Sequence, residues 1–281
     1  ATSKNFISVI SRGKAFVMGN WNGPVFQFGE KHGIRYKHST FFSNDKKILL
    51  VSDKDNKESI EIHTITSKTI KKSNVDFGRI LSVKKSPKDD LFIILNHKHE
   101  LFLFNPTKDT SIKIDRSKHD FIDSNWSPDG KYISYNCSIN SRCTIIKIYD
   151  LKANKSYNIT KPVNKDFSPV FDPDGKYLSF ISIRTFNPTY DSIQFDLSFQ
   201  KAEKPYIITL SKNTKSPFSK DPNDEHKNDD KKKEKKKDDI EINIDFDGIE
   251  NRVMELPVKE NQLANNIDFS SNKIFYIVFN D

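Results

Sequence analysis

The sequence predicts an all-β protein, a β-propeller with four-stranded blades. Three observations carry the prediction. A turn motif recurs as SNDKK at Ser43, SPKDD at Ser86, SPDGK at Ser127 and DPDGK at Asp172, with first residues 43, 41 and 45 positions apart. A short apolar run follows each turn, and a second follows across a polar loop. The interval matches the period of about 40–45 residues at which propeller blades repeat.

The turns have a local explanation. In Ser127-Pro128-Asp129-Gly130 the proline fixes φ, the aspartate bonds back to the backbone, and the glycine takes the left-handed conformation as the chain reverses. Asn44-Asp45-Lys46 and Lys88-Asp89-Asp90 lack the glycine and are degenerate copies. Strands after the turns are expected at 48–51, 91–95, 132–135 and 177–180, and the next ones at 60–63, 101–104, 145–149 and 193–195. Runs such as LFIIL suit strands covered on both faces. A blade that cannot bury its faces alone stacks against its neighbours.

Four nearly complete blades result. Strands of an earlier blade occupy 6–28, and another begins after Asn261, where SSNK at Ser270 is a weaker copy of the turn. The chain therefore reads as one propeller domain over 1–281, a partial ring of about five to six blades' worth of chain within a ring of roughly seven. Between Asp172 and Ser270 one blade is interrupted by a charged low-complexity insert at 211–239, and its outer strand is expected to resume at 240–244. The chain opens ATSKNFISVI, without Met, and ends within the apolar run NKIFYIVFND, so a fragment of a longer protein is expected.

The net charge of +8 does not point to nucleic acid, because lysine outnumbers arginine 39 to 7 and no basic stripe with interleaved aromatics is present. The insert 211–239 is expected to be disordered or weakly ordered at a blade edge, since its stretch 220–239 balances eight basic against eight acidic residues and the insert offers almost no apolar burial. Deleting 220–239 should leave the melting temperature nearly unchanged; a drop of many degrees by calorimetry would show that it packs. No apolar run approaches the roughly 18 residues of a membrane helix, and no secretory signal is evident. Cys137 and Cys143 flank a turn and read as reduced core thiols, although a disulfide across it is conceivable. The N-x-S/T triplets at Asn136, Asn154 and Asn158 are expected by chance in so Asn- and Ser-rich a chain.

No catalytic motif is present: neither G-x-S-x-G, a phosphate-binding glycine loop nor H-E-x-x-H occurs. His97 and His99 flank Lys98 in a loop without further ligands at suitable spacing, Asp129 and Asp174 read as turn residues, and Trp126 reads as core between blades. No catalytic residue, metal ligand or cofactor is assigned. The connection RTFNPTYD differs from a plain loop. It combines Arg184, Phe186, Asn187, Tyr190 and Asp191 around a rigid Asn-Pro, between the second and third strands of the fourth blade. Two readings stand at even weight: a docking surface on the propeller rim for another domain or a peptide, or a long loop braced by its inward-folded aromatics.

The stretch FDPDGKYLSFISIRTFNPTYDSIQFDLSFQKAEKPYIITL closely resembles the second β-propeller of the tricorn proteases. The resemblance extends to RGKAFVMGNWNGPVFQFGEKHGIRYKHSTFFSNDKKILLVSD, NHKHELFLFN and IDFDGIENRVMELPV, in family order, and covers nearly all of the chain except the insert. It implies a segment of a large, self-assembling cytoplasmic serine peptidase that shortens oligopeptides. There the propeller channels or filters substrate and acts as a scaffold. The family's catalytic region, interrupted by a PDZ-like domain, lies downstream, so no catalytic residue maps onto this chain. Implied partners are peptide substrates, the other propeller, the PDZ-like and catalytic domains of the same polypeptide, and further copies of it; neither nucleic acid nor membrane is among them. The alternative is a propeller that only binds or scaffolds, built from similar P-D-G repeats, with a prolyl-oligopeptidase-type propeller as a weaker third reading.

Overall fold

Each recurring turn joins the first two strands of a four-stranded antiparallel sheet. In the computed structural model the described residues are 1–28, 33–67, 69–119, 122–184, 188–191, 196–198, 202–218, 240–258, 263–270 and 273–279. The chain divides into two compact units, Ala1–Ile122 and Asp123–Asp281. Among the described residues no helix is long and apolar enough to cross a membrane.

The first unit opens with a three-stranded sheet of β1 (Phe6–Ser11), β2 (Lys14–Gly19) and β3 (Phe26–Phe28). Two four-stranded sheets follow. One is β4 (Tyr36–Phe41), β5 (Lys47–Ser52), β6 (Ser59–Thr64) and β7 (Ile70–Lys72); the other is β8 (Ile80–Lys85), β9 (Phe92–Asn96), β10 (Glu100–Asn105) and β11 (Thr110–Arg116). The continuous apolar run in β5 has its reason here. Ile48 and Leu50 pack with Ala15, Val17 and Phe28 of the preceding sheet. Leu49 and Val51 face the other way, into Phe77, Ile80, Phe92 and Phe104. All four are fully buried, each contributing about 1.5–3 kcal/mol relative to exposure.

The second unit contains β12 (Ser124–Trp126), β13 (Tyr132–Asn140), β14 (Cys143–Asp150) and β15 (Lys155–Asn158) in one sheet. The next is formed by β16 (Asp166–Phe171), β17 (Tyr177–Ser182), and, after a small hairpin of β18 (Thr189–Asp191) and β19 (Asp196–Ser198), by β20 (Lys204–Thr209) and β21 (Val253–Glu255). A hairpin of β22 (Leu263–Ser270) and β23 (Lys273–Phe279) follows. The first strands β4, β8, β16 and β22 each carry a register irregularity, and His38 and Ser168 sit at positive φ within two of them. These bulges bend the strand and increase its twist. Cys137 and Cys143 are buried free thiols.

The third strand of the interrupted blade is β20, and the expected stretch 193–195 lies outside the described residues. One sequence expectation needs correction here: the outer strand is β21, not 240–244. The latter segment alternates apolar and polar residues as a strand would, but it is used as a plug. Ile242 and Ile244 are buried in the cluster formed by Ile146 and Ile148 of β14 and Phe171, Leu178 and Ile208 of the neighbouring sheet. Its backbone is satisfied elsewhere: the Ile242 N–H donates to Asp129 Oδ2 at 3.1 Å, and the Asp245 N–H to the Leu210 carbonyl at 3.0 Å. Phe246 stacks on Tyr157, with centroids 3.9 Å apart. The charged part of the insert, 219–239, lies outside the described residues.

The turn aspartate is therefore more than a turn residue. Asp129 Oδ1 accepts from Ser127 Oγ at 2.6 Å and from the Lys131 N–H at 3.1 Å, while Oδ2 holds the plug. The next turn explains its glycine twice over. Gly175 has φ +71, and a Cβ there would lie 2.5 Å from Ile242 Cγ1. Gly175→Ala is expected to cost about 2–4 kcal/mol from backbone strain and overpacking together. Gly33→Ala is the control, because φ is +81 there with open space around the Cβ position. Equal losses in urea titrations of the two variants would show that the plug does not press on the turn.

Candidate functional site

The connection between β17 and β20 is built from the sheet end outward. Asp166, the first residue of β16, pairs with Ser182, the last of β17, and Ser182 pairs in turn with Lys204, the first of β20. All three are buried, with Asp166 only 1% exposed. A carboxylate so placed needs a cation and donors, and Arg184 supplies them two residues after the strand ends. Its Nη2 donates to both Asp166 oxygens, at 2.8 and 2.7 Å, and its Nε to Ser182 Oγ at 2.7 Å. Ser182 Oγ passes the chain on by donating to Asp166 Oδ1 at 2.5 Å.

The guanidinium also lies over two aromatic rings. Phe180 and Tyr206 are cross-strand partners stacked 5.9 Å apart, and Arg184 Cζ sits 5.5 Å and 5.2 Å from their centroids. Phe180, Ser182 and Arg184 alternate along the chain, which puts them on one face as period-two geometry requires. Stacking, together with separate nitrogens for Asp166 and Ser182, is a use that lysine cannot reproduce. Tyr206 extends the arrangement by donating its hydroxyl to Glu255 Oε2 at 3.3 Å.

Beyond this anchor the chain turns into the β18–β19 hairpin, with Thr189 opposite Ser198, Tyr190 opposite Leu197 and Asp191 opposite Asp196. Tyr190 is 62% exposed. Of the loop residues singled out in the sequence, Arg184 is directed inward onto Asp166, Tyr190 is directed outward, and Asp191 occupies a strand. Phe186 and Asn187 lie outside the described residues. Glu203, at the entry to β20, is held above the usual carboxylate range by burial.

Sequence reading found Arg184 but missed its partner. Asp166 stands in an unremarkable NKDFSPVF stretch, and only the pairing of β16 with β17 brings it alongside. The His-Lys-His loop serves the backbone: His97 Nδ1 accepts from the Arg79 N–H at 3.2 Å. Trp126 is half-buried in β12. Among the described residues no three His, Cys, Asp or Glu side chains are grouped to hold a metal. The arrangement is a hairpin whose base is anchored by a buried ion pair and whose Tyr190 ring is exposed.

Comparison with known proteins assigns this architecture. The family model described as the tricorn protease second beta propeller domain matches residues 1–281. A tricorn-like protease C-terminal subunit of Sulfurisphaera tokodaii is 38% identical over 273 residues, covering 96% of this chain and 30% of that protein. A tricorn protease homolog of Saccharolobus solfataricus is 34% identical over 279 residues, covering 96% of this chain and 24% of its own length. The chain thus spans less than a third of either relative. The crystal structure of the tricorn protease superposes with a TM-score of 0.79 at 19% identity, over 97% of this chain and 26% of that one, and so shares the propeller fold. Blades of four strands and a match along the full length agree: the chain belongs to the tricorn protease family and is its second β-propeller domain.

Proposed function

We propose that this chain is the propeller segment of a tricorn-type cytoplasmic serine peptidase that degrades oligopeptides. Its part is to admit and guide substrate and to hold the assembly, while bond cleavage belongs to other regions of the same polypeptide. The single observation behind this reading is a full-length match to relatives named as proteases of which the chain makes up only 24–30%. The partners that follow are the PDZ-like and catalytic domains, the other propeller, and further copies of the polypeptide.

The β18–β19 hairpin is the element suited to contact with passing peptides or a neighbouring domain. Its base is fixed by a buried ion pair, whereas Tyr190 offers an aromatic ring to solvent, the residue type most often found at binding hot spots. In the whole polypeptide, a bulky label on Tyr190→Cys should slow turnover of long peptides several-fold more than that of very short chromogenic ones. Equal slowing of both would mean that the hairpin guides nothing. The isolated chain should cleave no peptide, since catalysis needs an activated nucleophile and oxyanion donors.

A further inference from the structure

A second, separate feature lies in the first unit, where Arg35 at the entry to β4, the connection from β5 to β6 and residues 76–79 at the entry to β8 line a cleft of about 670 Å³. That volume is in the range of small-molecule and short-peptide sites. The lining is densely ionic: Arg35, Lys57 and Arg79 against Asp53, Glu58 and Asp76, with Asn56 and Gly78 between them. The formal charges cancel, yet their bonding states do not.

Two of the carboxylates are spent within the protein. Asp53 takes the Arg35 N–H at 2.7 Å on one oxygen and Arg35 Nε at 3.6 Å on the other. Glu58 takes Lys37 Nζ at 2.7 Å on Oε1 and the Ile80 N–H at 2.6 Å on Oε2. Asp76 uses Oδ1 to cap the turn, accepting from the Gly78 N–H at 2.8 Å, while its Oδ2 has no hydrogen-bond partner among the described residues. The side chains of Lys57 and Arg79 are both exposed, and among the described residues neither has a hydrogen-bond or ion-pair partner. The wall therefore offers unengaged donors from two cations and one open acceptor. Gly78, at φ +66, bears no side chain at the rim, where a Cβ would meet His97 Cε1 at 3.0 Å.

We infer that this cleft is a carboxylate-binding subsite for peptides. Arg79 and Lys57 take the carboxylate, the guanidinium matching its two oxygens in the paired geometry that arginine favours. Asp76 Oδ2 receives a backbone N–H from the same ligand. Assigning a peptide as the bearer rests on the peptide-handling function proposed above, whereas the carboxylate preference rests on the cleft alone. The carboxylate can be a chain terminus or an acidic side chain.

The test is equilibrium binding to the whole polypeptide, using short N-acetylated D-alanine peptides, which resist cleavage, carrying a neutral fluorophore. Three forms are compared at low salt: a C-terminal amide without acid, a free C-terminus, and a C-terminal amide with one D-aspartate. At least one acidic form should bind about fivefold more tightly than the acid-free amide, an advantage appropriate to solvent-exposed charged hydrogen bonds. The form that gains identifies the source of the carboxylate. The advantage should disappear in the Lys57→Gln/Arg79→Gln variant, whose changes touch exposed side chains only, and shrink in 0.5 M salt as screening requires. An acid-independent affinity, or an advantage unchanged in the variant, overturns the assignment. Because no catalysis is read, the subsite can fail while peptide hydrolysis stands, and hydrolysis can fail while the subsite stands.

Discussion

Arg184→Ala should destabilise the protein by about 3–5 kcal/mol, the usual cost of leaving a buried charge without its partner, and lower Tm by roughly 10 °C in a chain of this size. The loss has three sources. Asp166 would keep a carboxylate at 1% exposure with Ser182 as its remaining side-chain donor among the described residues. The two-pronged contact to both Asp166 oxygens would go, as would the stacking on Phe180 and Tyr206. Arg184→Lys should recover only part, because an ammonium can neither fork nor stack in that way. The double variant Arg184→Met/Asp166→Asn should be more stable than Arg184→Ala, since it removes the stranded charge along with its partner. Calorimetry of the three variants decides the matter. A fall of less than about 2 °C in Arg184→Ala would mean that the ion pair is solvated in solution and does not anchor the hairpin.

Glu61→Ala should be comparably costly, and its cost should depend on pH. Glu61, His63 and Tyr36 are all buried where β4, β5 and β6 meet. His63 Nε2 lies 2.8 Å from Glu61 Oε2, and the Tyr36 hydroxyl donates to the same oxygen at 3.4 Å. Burial alone pushes the Glu61 carboxyl up, but hydrogen bonds from His63, Ser52 and Tyr36 and the charge of His63 outweigh it, leaving the carboxyl below its ordinary value. A carboxyl whose pKa is lower folded than unfolded contributes stability that is complete above the unfolded value, about 4.3. That contribution is lost as pH falls further, through the folded value. The stability difference between wild type and Glu61→Gln should therefore shrink as pH falls from about 5.5 to below about 4.5. Urea unfolding across that range checks it. A difference that grows towards acid would mean that the carboxyl is held protonated in the fold. At neutral pH, Glu61→Ala should cost about 3–5 kcal/mol, because His63 and the Tyr36 hydroxyl would each lose a buried hydrogen bond to Glu61.

The sequence by itself determined the blade rhythm. The turns at Ser43, Ser86, Ser127 and Asp172 are closed by local chemistry, and each stands between the first and second strands of a four-stranded sheet. The doubly covered strands β5 and β9 could be read from their unbroken apolar runs, because a strand packed on both faces has no polar face to alternate with. What the sequence left open depends on contacts between residues far apart along the chain. The alternation in 240–244 fits a strand as well as it fits a plug. The choice was made by Asp129, 113 residues away, which satisfies the Ile242 N–H without a ladder partner, and by the apolar gap between two sheets. With that segment occupied, the edge of β20 pairs with Val253–Glu255. Arg184 looked like a rim cation because its partner is distant in sequence; strand pairing sets Asp166 beside Ser182 and turns the guanidinium inward. Local turn chemistry is written residue by residue, whereas a strand-like alternation, a buried charge or an apolar plug takes its meaning from the tertiary neighbour that compensates its desolvation.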